Sequence, residues 1–154
     1  MARTLKKVIC KVFDSEKSLK TILKICKLTL FPYLFIILYL TLIHRTPDHP
    51  QTIAPLFYEL RLIIRTQDTW SIIDSVRNLL MLMPFGFMIS EIFPKFRNII
   101  KIALIAFAFS VFIEITQFIT ARGTCQMDDI MNNTLGAVVG GYIQMKIQKH
   151  KKSA

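Results

Sequence analysis

Cysteine, glycine and proline are scarce in this chain, and so are charged side chains. The 154 residues include 3 Cys, 5 Gly and 6 Pro, and only 19% are Asp, Glu, Lys or Arg. These numbers exclude a disulfide scaffold and a collagen-like chain, and they argue against a disordered tail. The sequence also lacks a phosphate-binding glycine loop, a serine-hydrolase elbow and a zinc-protease motif, so no soluble enzyme class is indicated.

Apolar and basic residues are the classes present in excess. Hydrophobic residues make up 53% of the chain, and 20 Lys and Arg against 10 Asp and Glu give a formal net charge of +10. A soluble domain carries about 25% charged residues. The composition therefore suits a membrane protein with basic edges or a nucleic-acid binder with a large core, and the distribution of the charges decides between them.

Four apolar segments predict membrane-spanning helices, since a span needs about 20 apolar residues. The fourth is the weakest because Asn132, Asn133 and Gln144 interrupt it, so we expect it to need partner helices. The predicted spans are residues 22–43, 76–93, 101–120 and 130–147.

The basic residues are distributed unevenly between the segments that flank the spans. Fifteen of the 20 lie in the N-terminal arm, the loop after the second span or the C-terminal tail. Positive-inside bias therefore places both termini in the cytoplasm and requires an even number of spans. We predict an all-α integral membrane bundle of about four transmembrane helices. Its predicted parts are a basic arm (1–21), a transmembrane domain (22–147) and a basic tail (148–154).

This charge distribution makes membrane lipids the expected partners and argues against nucleic acid, because basic residues at span edges meet lipid headgroups. In the predicted outer loop, 44–75, the apolar segment 53–64 is too short to span and is expected to be interfacial or re-entrant. No metal site and no cofactor are expected, because His44, His49 and His150 are isolated from one another.

Several polar side chains lie where lipid is expected, and such residues are functional candidates. Ser110, Glu114 and Gln117 share one face of the third span, and Asp129 and Asn133 share one face of the fourth. The topology places all of them in the outer half of the membrane. The candidate polar pocket, with carboxylate–arginine pairing at its centre, consists of Asn78, Ser110, Glu114, Gln117, Arg122, Asp129 and Asn133.

The same residues also have purely structural interpretations. Glu114 paired with Arg122 or Arg77 would stabilise the bundle without any chemistry. Asp128 and Asp129 suit the N-terminal cap of the fourth helix, where a carboxylate faces the positive end of the helix dipole.

Small residues and one proline predict how the helices pack. Pro84 and Gly86 indicate a kink or break in the second span, because proline removes a backbone donor. Gly136 and Gly140 form a small-residue face that lets another helix approach closely.

In this order and spacing, these residues resemble the VanZ-like family of small bacterial membrane proteins. Pro55-Leu56-Phe57 is a weaker match, and Gln126 stands where family members often have an acidic residue. The resemblance implies a multi-pass protein of the bacterial plasma membrane and cell envelope, and for the family's namesake a role in antibiotic resistance, above all to teicoplanin. The matching residues are Asn78, Pro84, Phe85, Gly86, Ser110, Glu114, Gln117, Arg122, Asp129, Asn133, Gly136 and Gly140.

Three functions stay open at this point. The first is a protein that lowers susceptibility to lipid-tailed glycopeptides from the outer face, with an amphiphilic antibiotic or a lipid-linked envelope precursor as its partner. The second is an intramembrane enzyme acting on an envelope lipid or lipid-linked precursor, with Glu114 or Asp129 as general base. The third is a small transporter or accessory subunit, which would need a homo-oligomer formed through Gly136 and Gly140.

Overall fold

The computed structural model describes residues 16–47 and 51–152, and within them the chain is a bundle of helices. The all-α fold class is confirmed. The predictions for residues 1–15 of the basic arm, for His49 and for the last two residues of the tail lie outside the described residues. The elements in order are α1 (Glu16–Leu38), a π-helical turn (Tyr39–Ile43), β1 (Ile53–Ala54), α2 (Tyr58–Thr66), α3 (Thr69–Ile92), a 3-10 turn (Pro94–Phe96), α4 (Ile99–Ile119), β2 (Cys125–Gln126) and α5 (Met127–Lys152).

Three helical segments are long and apolar enough to cross a membrane, namely Leu19–Ile43, Thr69–Ile92 and Ile99–Ile119. Many of their large apolar side chains are exposed, as contact with lipid requires; Leu28 and Phe31 are examples. At 26 residues, α5 is about 39 Å long, which exceeds the thickness of the apolar layer of a membrane. It does not have the apolarity of the other three, in agreement with the expectation that it needs partner helices.

Consecutive long helices alternate in direction, so α3 and α5 run the same way, and these two helices lie side by side. The contact between α3 and α5 is the most extensive in the described chain. One end of the bundle gathers the start of α1, the end of α3, the start of α4 and the end of α5. We call it the basic end, because it carries Lys24, Lys27, Lys95, Arg97, Lys101 and Lys146.

The opposite end, which we call the acidic end, carries Glu59, Glu114, Asp128 and Asp129. It gathers the end of α1, the outer loop, the start of α3 and the connection from α4 to α5. The segments predicted to be cytoplasmic thus share one end of the bundle, as far as the structure describes them. The orientation of the bundle in the membrane stays a prediction.

Three glycines let the backbones of α3 and α5 touch. A Cβ atom on any of them would lie 1.8–1.9 Å from a backbone oxygen of the other helix, a distance at which no side chain fits. The face formed by Gly136 and Gly140 is therefore occupied by α3 of the same chain, which corrects the expected route to a homo-oligomer. The three contacts are Gly86 with Ala137, Gly136 with Leu79 and Gly140 with Met83.

The second predicted span contains no break at Pro84. Helix α3 is continuous from Thr69 to Ile92. Proline disturbs the preceding turn, and in that turn the carbonyl of Met81 accepts a hydrogen bond from the Tyr33 hydroxyl. This bond ties α3 to α1 next to the proline.

Helix α3 begins at Thr69, several residues before the predicted start of the span at residue 76. Asp68 is its N-cap, with a carboxylate that accepts hydrogen bonds from the Ser71 hydroxyl (2.6 Å) and the Ser71 backbone N–H (3.0 Å). These bonds hold the pKa of Asp68 below its ordinary value. The outer loop 44–75 therefore contains β1, α2 and the first turns of α3.

Candidate functional site

A short parallel ladder attaches the outer loop to the connection between α4 and α5. Ile53 lies opposite Cys125, and Ala54 lies opposite Gln126. The Cys125 N–H donates to the Thr52 carbonyl at 3.0 Å. The ladder holds the outer loop against the acidic end, where most of the predicted site residues lie.

Asp128 caps α2, a helix of the outer loop, whereas the sequence suggested that it caps its own helix. Its carboxylate accepts hydrogen bonds from the backbone N–H groups of Phe57 (2.6 Å) and Glu59 (2.8 Å). Phe57 has a left-handed backbone, with φ of 64°, directly before α2 begins. The Pro55-Leu56-Phe57 segment thus forms the turn that presents the start of α2 to Asp128.

Glu59 is a buried acid within the apolar segment 53–64, and it was not among the predicted site residues. Its carboxylate accepts a hydrogen bond from the Ser75 hydroxyl at 2.5 Å. Burial raises the pKa of Glu59, and the nearby charges of Asp128 and Asp74 raise it further against the effect of Ser75. The sequence offered one signal for this position, namely an acidic residue within a short apolar segment.

Glu114 and Asp129 are both buried, and amide groups provide their hydrogen bonds. The Gln126 backbone N–H donates to Glu114 at 2.9 Å, and the Asn78 side-chain amide donates to Asp129. The hydrogen bond to Glu114 comes from the backbone N–H of Gln126, so it does not depend on which side chain stands at position 126.

The expected carboxylate–arginine pairing at the centre of the site is not found among the described residues. Arg77 instead forms an exposed ion pair with Asp74, at 2.7 Å. Glu114 therefore pairs with neither Arg77 nor Arg122, and hydrogen bonds from amides replace the predicted ion pair.

Arg45 is an arginine at the acidic end that was not among the predicted pocket residues. A Cβ atom on Gly123 would lie 3.0 Å from an Arg45 guanidinium nitrogen and 3.2 Å from Gln117 Oε1. Gly123 thus leaves room for Arg45 to lie beside Gln117. No spacing in the sequence connects Arg45 with the acids, since it follows the first span and they lie in the last two helices.

Ser110 and Asn133 form a polar contact in the apolar interior between α4 and α5. The Asn133 amide donates to the Ser110 hydroxyl at 2.8 Å, and their exposed fractions are 0% for Ser110 and 1% for Asn133. Asn133 Oδ1 has no hydrogen-bond partner in the described structure, and the same holds for Arg122 Nε. Buried polar atoms are nearly always satisfied, so both atoms are candidates for contact with a ligand.

Gln117 joins α4 to α1 at the same level. Its side-chain amide donates to the backbone carbonyl of Thr41 in the π-helical turn at 3.0 Å. The backbone carbonyl of Gln117 accepts a hydrogen bond from the backbone N–H of Arg122 at 2.9 Å. All seven predicted pocket residues therefore lie in or next to one polar layer at the acidic end. We call it the outer polar cluster, and it consists of Asn78, Ser110, Glu114, Gln117, Arg122, Asp129 and Asn133, together with Arg45, Glu59 and Asp128.

A second buried polar group at the basic end was not predicted. Glu91, near the end of α3, accepts hydrogen bonds from the side-chain amides of Gln144 (2.5 Å) and Gln148 (3.0 Å) on α5. Gln144 Oε1 is buried without a partner among the described residues. The only sequence signal for this group was an acidic residue two positions from the end of a predicted span.

The described residues contain no group of three or more His, Cys, Asp and Glu side chains arranged to hold a metal ion. In comparison with known proteins, a model of the VanZ/LLP1 family matches residues 21–148. The match runs from α1 into α5 and includes the whole outer polar cluster. No curated protein and no solved structure matches the chain.

Proposed function

The chain belongs to the VanZ/LLP1 family, and from this membership we propose that it lowers the susceptibility of the cell to lipid-tailed glycopeptide antibiotics of the teicoplanin type. It is a membrane protein with three apolar helices that can span. The observation that carries the proposal is the buried acceptor Asn133 Oδ1, which has no partner in the described structure. It lies at the end of the bundle predicted to face outward.

The chemistry of the outer polar cluster fits the polar head of an amphiphile. Asn133 Oδ1 offers an acceptor and Arg122 Nε a donor, and both are buried. Exposed apolar side chains on the same helices, such as Phe112 and Leu135, offer a surface for a lipid tail. Such a site would engage a tailed antibiotic directly, or the lipid-linked precursor that the antibiotic recognises.

The test is a deletion strain complemented with the full chain and exposed to two glycopeptides that share a core, one with a lipid tail and one without. Protection against the tailed compound alone is the expected result, since the tail brings the drug to membrane level. Equal protection against both compounds, or protection against neither, would contradict the proposal.

A matched pair of variants tests the role of the cluster itself. Asn133→Leu replaces the unpartnered acceptor with an apolar side chain of similar size and should abolish protection. Asn132→Leu, the same change on the neighbouring residue, should preserve it. Immunoblots of the membrane fraction show whether both variants accumulate. Loss of protection in both variants at normal abundance would exclude a specific role for Asn133.

An intramembrane enzyme acting on an envelope lipid is the second candidate. One observation favours it: the buried carboxylates of Glu114 and Asp129 belong to the same polar cluster but come from different helices, α4 and α5. Paired carboxylates serve general acid–base chemistry. Glu114→Gln and Asp129→Asn should abolish turnover without reducing abundance if the cluster is catalytic. A purely structural pair would instead lose abundance.

Both candidates depend on the acidic end facing outward. In a background with Cys10, Cys26 and Cys125 changed to Ser, single cysteines at Gln67 and Lys95 report on opposite ends of the bundle. A thiol reagent that does not cross membranes should label intact cells at Gln67→Cys but not at Lys95→Cys. The reverse pattern would overturn the assigned orientation and the proposal with it.

A further inference from the structure

A groove opens at the basic end of the bundle, and the outer polar cluster lies at the opposite end. Its volume is about 470 Å³, and it lies between the start of α4 and the last turns of α5. None of its lining residues is acidic. They are Arg97, Asn98, Ile99, Ile100, Tyr142, Met145, Lys146 and Lys149.

The polar rim of the groove is cationic. Arg97 Nε donates to the Ser90 carbonyl at 3.1 Å, which anchors the guanidinium on the last turn of α3. Lys146 Nζ lies 5.3 Å from the centre of the Tyr142 ring on the same helix. Three basic side chains therefore line one opening, and the contacts of Arg97 and Lys146 restrict where their charges lie.

The wall of the groove is apolar and continues into the membrane-spanning part of α4. Ile99 and Ile100 are the first residues of the candidate span Ile99–Ile119, and Ile100 is 69% exposed. Met145 and the ring of Tyr142 form the facing side. Cations at the mouth and aliphatic side chains below it are complementary to a molecule with an anionic head and a hydrocarbon tail.

We propose that this groove binds an anionic phospholipid, with its headgroup among Arg97, Lys146 and Lys149 and an acyl chain against Ile100 and Met145. The position of the groove decides between a lipid and a soluble anion. It lies where a helix enters the apolar layer, and a free phosphate would leave the wall uncovered. The inference is independent of the function assigned to the acidic end.

Purified full-length protein in phosphatidylcholine nanodiscs with increasing fractions of phosphatidylglycerol provides the test. Native mass spectrometry after release from the disc counts the retained phosphatidylglycerol molecules. Lys146→Gln combined with Lys149→Gln keeps the bond between Arg97 and Ser90 and should reduce retention about tenfold or more, since each basic residue near an anionic surface contributes appreciably. Arg97→Gln, as a second variant, should reduce it as well.

Lys24→Gln combined with Lys27→Gln is the matched control. It removes the same charge from the same end of the bundle, on exposed positions of α1 outside the groove. Retention equal to that of the unmodified chain is expected for this control. Equal losses in the control and in the groove variants would overturn the proposal, because the attraction would then be a property of total charge. Phosphatidylcholine retained as strongly as phosphatidylglycerol would overturn it too.

Discussion

The carboxylate of Asp128 accepts a hydrogen bond of 2.6 Å from the backbone N–H of Phe57, a residue 71 positions earlier in the chain. It accepts a second from Glu59. Through these two bonds the first turn of α5 holds the outer-loop helix α2, and the two-residue ladder beside them holds β1. The outer loop is thus fastened to the acidic end at two adjacent points by the same connection.

Asp128→Ala should release α2 from the bundle. Two hydrogen bonds to a charged acceptor are lost, and each such bond contributes about 1.5–3 kcal/mol. We expect faster hydrogen exchange over residues 57–66, with little change in α3 and α4, measured by mass spectrometry in detergent. Asp74→Asn is the control, because it removes an acid from an exposed ion pair in the same region. Unchanged exchange in Asp128→Ala would show that the ladder alone holds the loop.

Gly136→Ala and Gly140→Ala should each separate α3 from α5. The added methyl group would lie within 2 Å of a backbone carbonyl, and a rigid backbone does not yield as a flexible side chain does. Overpacking of this kind costs about 1–3 kcal/mol and sometimes more. Thermal unfolding in detergent measures the loss. Val139→Ile, which adds one carbon at a partly exposed position of the same helix, should leave the melting temperature within about 1 °C.

Glu59 should make stability fall as the pH rises above its ordinary pKa of 4.5. Burial raises the pKa of the folded carboxyl, so above pH 4.5 the folded protein keeps a proton that the unfolded chain has released. Stability therefore decreases with pH until the carboxyl ionises in the folded state as well. Glu59→Gln removes this decrease, still accepts the Ser75 hydroxyl, and should be the more stable protein at pH 7.

Thermal unfolding of both proteins between pH 4 and pH 8 checks this expectation. Asp68→Asn is the control. The pKa of Asp68 lies below its ordinary value of 3.8, so its stabilising contribution is present above that pH and is lost only below it. Its removal should leave the slope above pH 4.5 unchanged. If the melting temperatures of Glu59→Gln and of the unmodified chain change with pH in the same way, Glu59 is excluded as the source of the decrease in stability.

Gln144→Met should destabilise the basic end more than Gln148→Met. Gln144 is buried and donates to Glu91 at 2.5 Å, whereas Gln148 is partly buried and donates at 3.0 Å. Loss of the shorter, buried bond should lower the free energy of unfolding by about 1–3 kcal/mol, because the buried carboxylate of Glu91 then has one hydrogen-bond donor fewer. Melting temperatures of the two variants, with and without Glu91→Leu, give the coupling of each pair. Equal losses would contradict the ranking.

The helices and the residues at the acidic end could be predicted from the sequence because their signals are local. Apolar runs predicted the helices, and spacings of three, four and seven residues placed Ser110, Glu114 and Gln117 on one face. The small-residue pattern of Gly136 and Gly140 likewise predicted a close helix contact. Charge counts placed the three basic segments at one end, which the described residues show.

The partners of those residues could not be predicted, because they come from distant parts of the chain. Glu114 is satisfied by a backbone N–H of Gln126, a group that every residue except proline provides. Arg45 and Glu59 lie in a loop whose path depends on the ladder between β1 and β2, which is only two residues long. Arginine was the expected partner because it is the usual counterion for a carboxylate, but amide donors occupy that place.

The fit between α3 and α5 also bears on the order in which the protein assembles during translation. Helix α5 carries buried amides and does not have the apolarity of the other long helices, so it partitions poorly into a bilayer by itself. Its companions, α3 and α4, leave the ribosome before it. We expect α3 and α4 to insert into the membrane first and α5 to pack against them afterwards. In a chain truncated after α4, the surface of α3 that normally contacts α5 would be exposed to lipid.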